Sequence, residues 1–212
     1  MTHRSNTLNT EPSSFQLSCC GQISGGNFGD IDDIYCKYSF SIGPDWSPIA
    51  GIDHGISQHA RINHMTANDD IVWNFPIDVT FRSTNVFGWP RIAVGVYGLD
   101  FFGRDVPRGY GSALIPLTPG THEIEVPCYR PMASSWLNEW GAWLFGNPIE
   151  FYDSKFVCQA DGREVTRVRS TGVVKIKVTI ATRGMKALGY DCVDNKEFKA
   201  PVAPKPEQEV TA

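Results

Sequence analysis

Residues 71–81 read Ile71-Val-Trp-Asn-Phe-Pro-Ile-Asp-Val-Thr-Phe81. Every second side chain is apolar: Ile71, Trp73, Phe75, Ile77, Val79 and Phe81 fall on one face of an extended chain. Asn74, Pro76, Asp78 and Thr80 fall on the other, which is the period of a strand with one buried side. Burial of six such side chains, at roughly 1.5–3 kcal/mol each, amounts to about 9–18 kcal/mol gross. That is comparable to the net stability of a domain, so this stripe belongs to the core. Pro76 has no N–H to give to a ladder and predicts an edge position, a bulge, or the meeting of two strand segments.

Weaker copies of the same alternation flank it. Phe15, Leu17 and Cys19 share a face, as do Ile34, Cys36, Tyr38 and Phe40. Ile92, Val94 and Val96 form another stripe, Ile124 and Val126 a further one, and Val174, Ile176, Val178 and Ile180 the last, opposed by Lys175, Lys177 and Thr179. Turn formers separate the runs at Gly43-Pro44-Asp45, Ser83-Thr84-Asn85, Pro119-Gly120 and Asp161-Gly162. Many short strands with regularly placed turns predict an all-β fold, an antiparallel β-sandwich. Helical spacing occurs over Ala133–Phe145 and in a short turn near Met185–Leu188 closed by Gly189, so one or two short helical insertions are expected. A polar stretch over 1–13 and a Pro-, Lys- and Glu-rich stretch over 193–212 are expected to be flexible tails around one domain, 14–192.

Composition bounds the function. The 212 residues carry a net charge of −4, which disfavours sequence-independent nucleic-acid binding. No run of apolar residues is long enough to predict a membrane-spanning helix, and the first residues lack the apolar core of a secretory signal. A reducing compartment is therefore expected for the six cysteines, which show no CxxC or zinc spacing. Most are expected to be small buried apolar residues. Cys19 and Cys20, if in a strand, face opposite ways.

Residue types that carry chemistry are present, but their spacing does not assemble them. Asp30, Asp32, Asp33, Asp100 and Asp105 are the oxygen donors a calcium site would draw on. They read as turn chemistry, because four residues, two of them phenylalanines, separate Asp100 from Asp105. His54, His59 and His64 recur every five residues, which converges in neither helix nor strand. The glycine runs match no phosphate-binding loop, and no nucleophile elbow occurs. No catalytic residue, no metal and no cofactor is expected.

Two surface features remain. Arg163, Arg167, Arg169, Lys175 and Lys177 form a basic run: a solvated outer face, a partner contact, or a surface for anionic lipid headgroups. Trp136, Trp140 and Trp143 lie at i, i+4 and i+7, on one face of the expected helix. That face either completes the core, anchors a partner, or inserts into a membrane.

Several segments together resemble the B9 domain family: YCKYSFSIGPDWSPIAGIDHGISQ (35–58), VWNFPIDVTFRSTNVFGWPRIAVGVYG (72–98), RGYGSALIPLTPG (108–120), GREVTRVRSTG (162–172) and LGYD (188–191). The run VWNFPIDVTF followed by Gly-Trp-Pro is its most specific part, and the resemblance covers roughly residues 14–192. It implies a C2-like sandwich of about eight strands. It also implies a non-enzymatic subunit of the ciliary transition-zone complex associated with Meckel syndrome, located in the cytoplasm and cytoskeleton at the basal body and transition zone. Such a subunit would assemble with B9 domain-containing protein 2 and the Meckel syndrome type 1 protein, and serve cilium assembly and the barrier between ciliary and plasma membranes. The alternative is a peripheral module that binds anionic phospholipid through a basic sheet face.

Overall fold

A computed structural model describes residues 13–29, 31–62, 70–132, 158 and 167–190. The expected helix 133–145, residue 163, and all of the two expected tails except Ser13 lie outside the described residues, as does the Asp161-Gly162 turn.

Among the described residues nine strands follow one another: β1 Phe15–Asn27, β2 Ile34–Ser41, β3 Ser47–Gly51, β4 His54–Ile56, β5 Ile71–Ser83, β6 Arg91–Leu99, β7 Asp105–Leu114, β8 Gly120–Pro131 and β9 Val168–Arg183. They hydrogen-bond in the order β3-β5-β1-β9-β8-β7-β6-β2-β4, one more strand than expected. Each of the eight neighbouring pairs is antiparallel.

This ribbon of strands is folded over on itself. β7 and β8 share a single register pair, Tyr110 with Tyr129, so the sheet is nearly split there into two layers. Across the fold β5 faces β2: Phe81 packs edge-on to Phe40 with ring centroids 5.3 Å apart, and Phe75 lies 6.0 Å from Tyr38. The indole N–H of Trp73 on β5 donates to the Ile34 carbonyl of β2 at 3.1 Å. A two-layered antiparallel sandwich results, with one core between its layers.

The alternation that predicted the core is the one that fills it. Ile71, Trp73, Ile77, Val79 and Phe81 are buried, together with Phe15, Leu17 and Cys19 of β1 and Val174, Ile176, Val178 and Ile180 of β9. Ile34, Cys36, Tyr38 and Phe40 face them from β2, and Ile92, Val94 and Val96 from β6. Ile124 and Phe75 are only partly buried. At Phe75 the reason is local: Asn74 has φ 47°, and the β1–β5 register shifts between Ile23 and Gly25, so β5 bulges just before Pro76. β3 pairs with β5 only from Arg82 to Val79. Pro76 therefore sits where β5 has run past the end of β3, and its missing donor breaks no ladder. The 3-10 turn Lys186–Leu188 ends at Gly189, whose φ of 80° gives the left-handed cap expected of that glycine.

One segment finishes both margins of the ribbon. β3 and β4 are its two terminal strands, yet only Ile52 and Asp53 separate them in sequence. The chain steps there from one layer to the other. The Ile52 amide bonds to Asp78 of one layer and the Asp53 carbonyl to the Phe40 amide of the other.

Candidate functional site

The acidic and imidazole groups of the described loops are spent on local structure. Asp32 accepts the Ile62 amide at 2.8 Å, and Asp33, at φ 55°, lies 3.3 Å from the His59 ring nitrogen. His54 pairs with its neighbour Asp53 at 2.9 Å. Asp105 accepts the Tyr35 hydroxyl, and Asp100 organises the hairpin that joins β6 to β7. Its carboxylate takes the amides of Phe102 and Arg104 and the Arg104 guanidinium, each at 2.8 Å. Partial withdrawal from water pulls this carboxyl up, but those donors outweigh it and hold it below the ordinary aspartate value. These are the roles of turn residues. Among the described residues, no three His, Cys, Asp or Glu side chains are placed to hold a metal ion. Asp30 and His64 lie outside the described residues.

The basic run divides. Lys175 and Lys177 point outward from β9, on the face opposite the core, and each meets an acid. Lys175 lies 2.6 Å from Asp70 and Lys177 3.3 Å from Glu123. The hydrogen bond with Asp70 raises the Lys175 pKa, with desolvation opposing. The register also sets Glu125 opposite Lys175 and Glu123 opposite Lys177, so this face carries mixed charge. Arg169 lies at the far end of β9 and Arg167 just before it, six or more residues away, or about 20 Å along the strand. A register shift between Cys128 and Tyr129 intervenes. The structure does not bring the arginines and lysines together.

It does bring Arg167 and Arg169 to two arginines that sequence reasoning missed. Arg169 is paired in register with Arg130 of β8, and the Arg167 carbonyl accepts the Met132 amide. Arg108 is the extra residue where β7 slips against β6, between Val96↔Gly109 and Tyr97↔Pro107. Its guanidinium donates to the Leu99 carbonyl, while its Nε is buried with no acceptor. Desolvation and the neighbouring Arg130 charge lower the Arg108 pKa, and Asp100 partly offsets them. Beside these arginines stands the hairpin tip, where Phe101 is 93% exposed and Phe102 55%. The Phe101 and Phe102 rings meet edge to face at 5.6 Å, and Arg104 lies 4.8 Å from the centre of the Phe102 ring. The signal for this tip was in the sequence as Asp-Phe-Phe-Gly-Arg: turn residues around two aromatics that neither strand face needs. Trp136, Trp140, Trp143 and Arg163 lie outside the described residues.

Among the described residues the thiols belong to no group placed to hold a metal ion. Cys19, Cys36, Cys128 and Cys158 are buried and Cys20 is exposed. Burial pushes the Cys19 and Cys128 thiols up to about 12 and raises Cys36 further still.

Comparison with known proteins places this geometry. The B9-C2 family model, described as ciliary basal body-associated B9 protein, matches residues 17–181, from β1 into β9. B9 domain-containing protein 1 of Mus musculus is 47% identical over 196 residues, covering 92% of this chain and 96% of the mouse protein. B9 domain-containing protein 2 of Bos taurus is 30% identical over 178 residues, covering 84% of this chain and 99% of the bovine protein. A C2 domain of plant extended synaptotagmin 1, 11% identical, aligns with 80% of this chain and 95% of its own at a TM-score of 0.34, too loose a superposition to argue from.

Proposed function

The chain belongs to the B9 family of ciliary basal body-associated proteins, and from that premise we propose that it is a non-enzymatic scaffold subunit at the base of the cilium. It assembles there with other B9 proteins, B9 domain-containing protein 2 and the Meckel syndrome type 1 protein. That assembly, at the basal body and transition zone, serves cilium formation and the barrier between ciliary and plasma membranes. The observation that carries this reading is the extent of the family match, which spans residues 17–181. The surface chemistry is consistent with it, since the acids and histidines of the described loops are engaged in turns rather than gathered in a cleft.

The test is pull-down of each sister B9 protein, separately, by the purified chain in detergent without lipid. Co-purification with at least one is expected. Recovery of neither overturns the scaffold reading. Trp136, Trp140 and Trp143 are the proposed anchor, since tryptophans dominate buried contacts between proteins. A Trp140→Asp chain is therefore expected to stay folded and lose its partner; unfolding would assign that tryptophan to the core instead.

The second reading is a peripheral module that docks on anionic phospholipid through the basic face of β9. Two of that face's cations, Lys175 and Lys177, already have carboxylate partners. Arg167 and Arg169, beyond the register shift and at one end of the sandwich, are the cations of the basic run that support it.

A further inference from the structure

We propose that two copies of this chain associate through the outer face of the β5-β1-β9-β8 layer, their strands running in opposite senses, so that Arg82 and Arg183 of each copy meet Glu123 and Glu125 of the other. The proposal goes beyond the scaffold reading and does not rest on it.

The strand register lays out the charge on that face. The side chains that alternate with the core residues point outward from each of the four strands. At one end Arg82 and Arg183 flank Gln16, each paired with it in register. Among the described residues no carboxylate pairs with either arginine. About 20–27 Å along β9 stand Lys177 and Lys175, with Glu123 and Glu125 opposite them on β8. Asp70 engages Lys175 and Glu123 engages Lys177, which leaves Glu125 without an ion pair among the described residues. Three acids thus meet two lysines there. One end of the face is positive and the other has negative charge in excess.

Between the ends the surface is low, and its polar groups are already satisfied. Ser18, Cys20, Thr80, Thr121, Thr179 and Ala181 are all small. The Thr80 hydroxyl donates to Ser18 at 3.2 Å, the Thr121 and Thr179 hydroxyls bond at 2.9 Å, and the Cys20 thiol donates to Asp78 at 3.2 Å. These groups can leave water with their partners in place, which removes most of the cost of covering them. No long side chain stands in the way of a second sheet about 10 Å off. The charge order then decides the occupant. A nucleic acid, an anionic membrane or an acidic protein segment would be repelled at the glutamate end. A second copy turned over presents the same charges in reverse, and two-fold symmetry makes the Arg-to-Glu contact twice. The midpoint between the arginine row and the glutamates falls near the row of Cys20 and Thr179, so the Cys20 side chains of the two copies face each other. Asp78 shares that row but stands at the rim, where β3 has ended. Four strands about 4.8 Å apart and eight residues of about 3.3 Å span roughly 500 Å². Two copies bury about 1,000 Å², where specific interfaces begin.

The experiment is sedimentation equilibrium of the purified full chain over a concentration series, beside cross-linking with a short bis-maleimide. Cys19, Cys36, Cys128 and Cys158 are buried, and Cys192, outside the described residues, is changed to Ser so that Cys20 is the thiol that reacts. The average mass is expected to rise from monomer toward dimer with concentration, and the cross-linked dimer to vanish on Cys20→Ser. One variant carries Arg82→Glu with Arg183→Glu, and a second carries Glu123→Arg with Glu125→Arg. Each should raise the dimer dissociation constant at least about tenfold while its melting transition is retained. An equimolar mixture of the two should associate as the parent does, because only the mixed pair has opposite charges at both contacts. A monomer mass throughout the series overturns the proposal, as does a dimer that neither charge reversal weakens. Shielding of Cys20 from maleimide only when B9 domain-containing protein 2 is added would assign the face to that protein and overturns it too. The sedimentation and charge-reversal measurements use this chain alone, so their failure leaves the scaffold reading intact, and a failed pull-down leaves this proposal intact.

Discussion

Gly88, Trp89 and Pro90 show how a short motif can be a set of separate steric requirements. Gly88 has φ 68°, and a Cβ placed there would stand 2.4 Å from the Gly43 Cα of the facing loop. Two backbones cross at that point with no room for a side chain. Trp89 then packs edge-on to Trp46 at 5.2 Å and donates its indole N–H to the Ile115 carbonyl at 2.9 Å. The Pro90 carbonyl accepts the Ile115 amide at 3.1 Å. Gly88→Ala combines a strained left-handed backbone with a backbone collision, and it should cost at least about 2 kcal/mol. Urea denaturation of the variant beside the parent checks this; a loss under about 0.5 kcal/mol would mean that the loops part easily. At this scale much was legible. Gly-Trp-Pro stood out as a motif, and Gly189 was read as a helix stop. That Gly88 answers Gly43 was not legible, because forty-five residues and a layer of the sandwich separate them in the chain.

Strands carry the next lesson, and β9 the sharpest form of it. Alternation placed Val174 to Ile180 in the core and Lys175 and Lys177 outside, which is what the register delivers. It could not say which strand lies beside β9, and hence that Glu123 and Glu125 neutralise those lysines while Arg130 confronts Arg169. Periodicity reports the face of a side chain but is silent about its lateral neighbour, which depends on the order of nonconsecutive strands. For the same reason β3, with all five residues exposed, left no alternating signal. The neighbour does have a measurable consequence. Arg169→Glu converts a repelling cross-strand pair into an attracting one and should stabilise the fold by up to about 1 kcal/mol. A thermal melt at low salt checks it; destabilisation would mean that Arg169 already has a counter-charge.

The molecule as a whole has a pH limit written into its core. Cys19, Cys36 and Cys128 are buried with raised pKa values, from an ordinary thiol value of 9.0. Above that value the unfolded chain releases protons that the folded chain retains, so alkali favours unfolding. The stability that rests on these protonated thiols is complete below pH 9 and lost progressively as pH rises toward 12 and beyond. Each thiol should take away about 1.4 kcal/mol between about pH 8 and pH 10, or about 4 kcal/mol for the three. Chemical denaturation at those two pH values measures the loss, and Cys128→Ala should reduce it by about a third. An unchanged loss would mean that Cys128 contributes none of it.

The sandwich has a seam. Ten consecutive residues, Ser47 to Ile56, form both of the outermost strands, and three of them are isoleucines turned toward water: Ile49, Ile52 and Ile56. A single protease cut after Ile52 would loosen the hem of both layers together. The backbone beneath would then be open to another chain on either side, so one nick in this stretch would lead to polymerisation rather than simple unfolding.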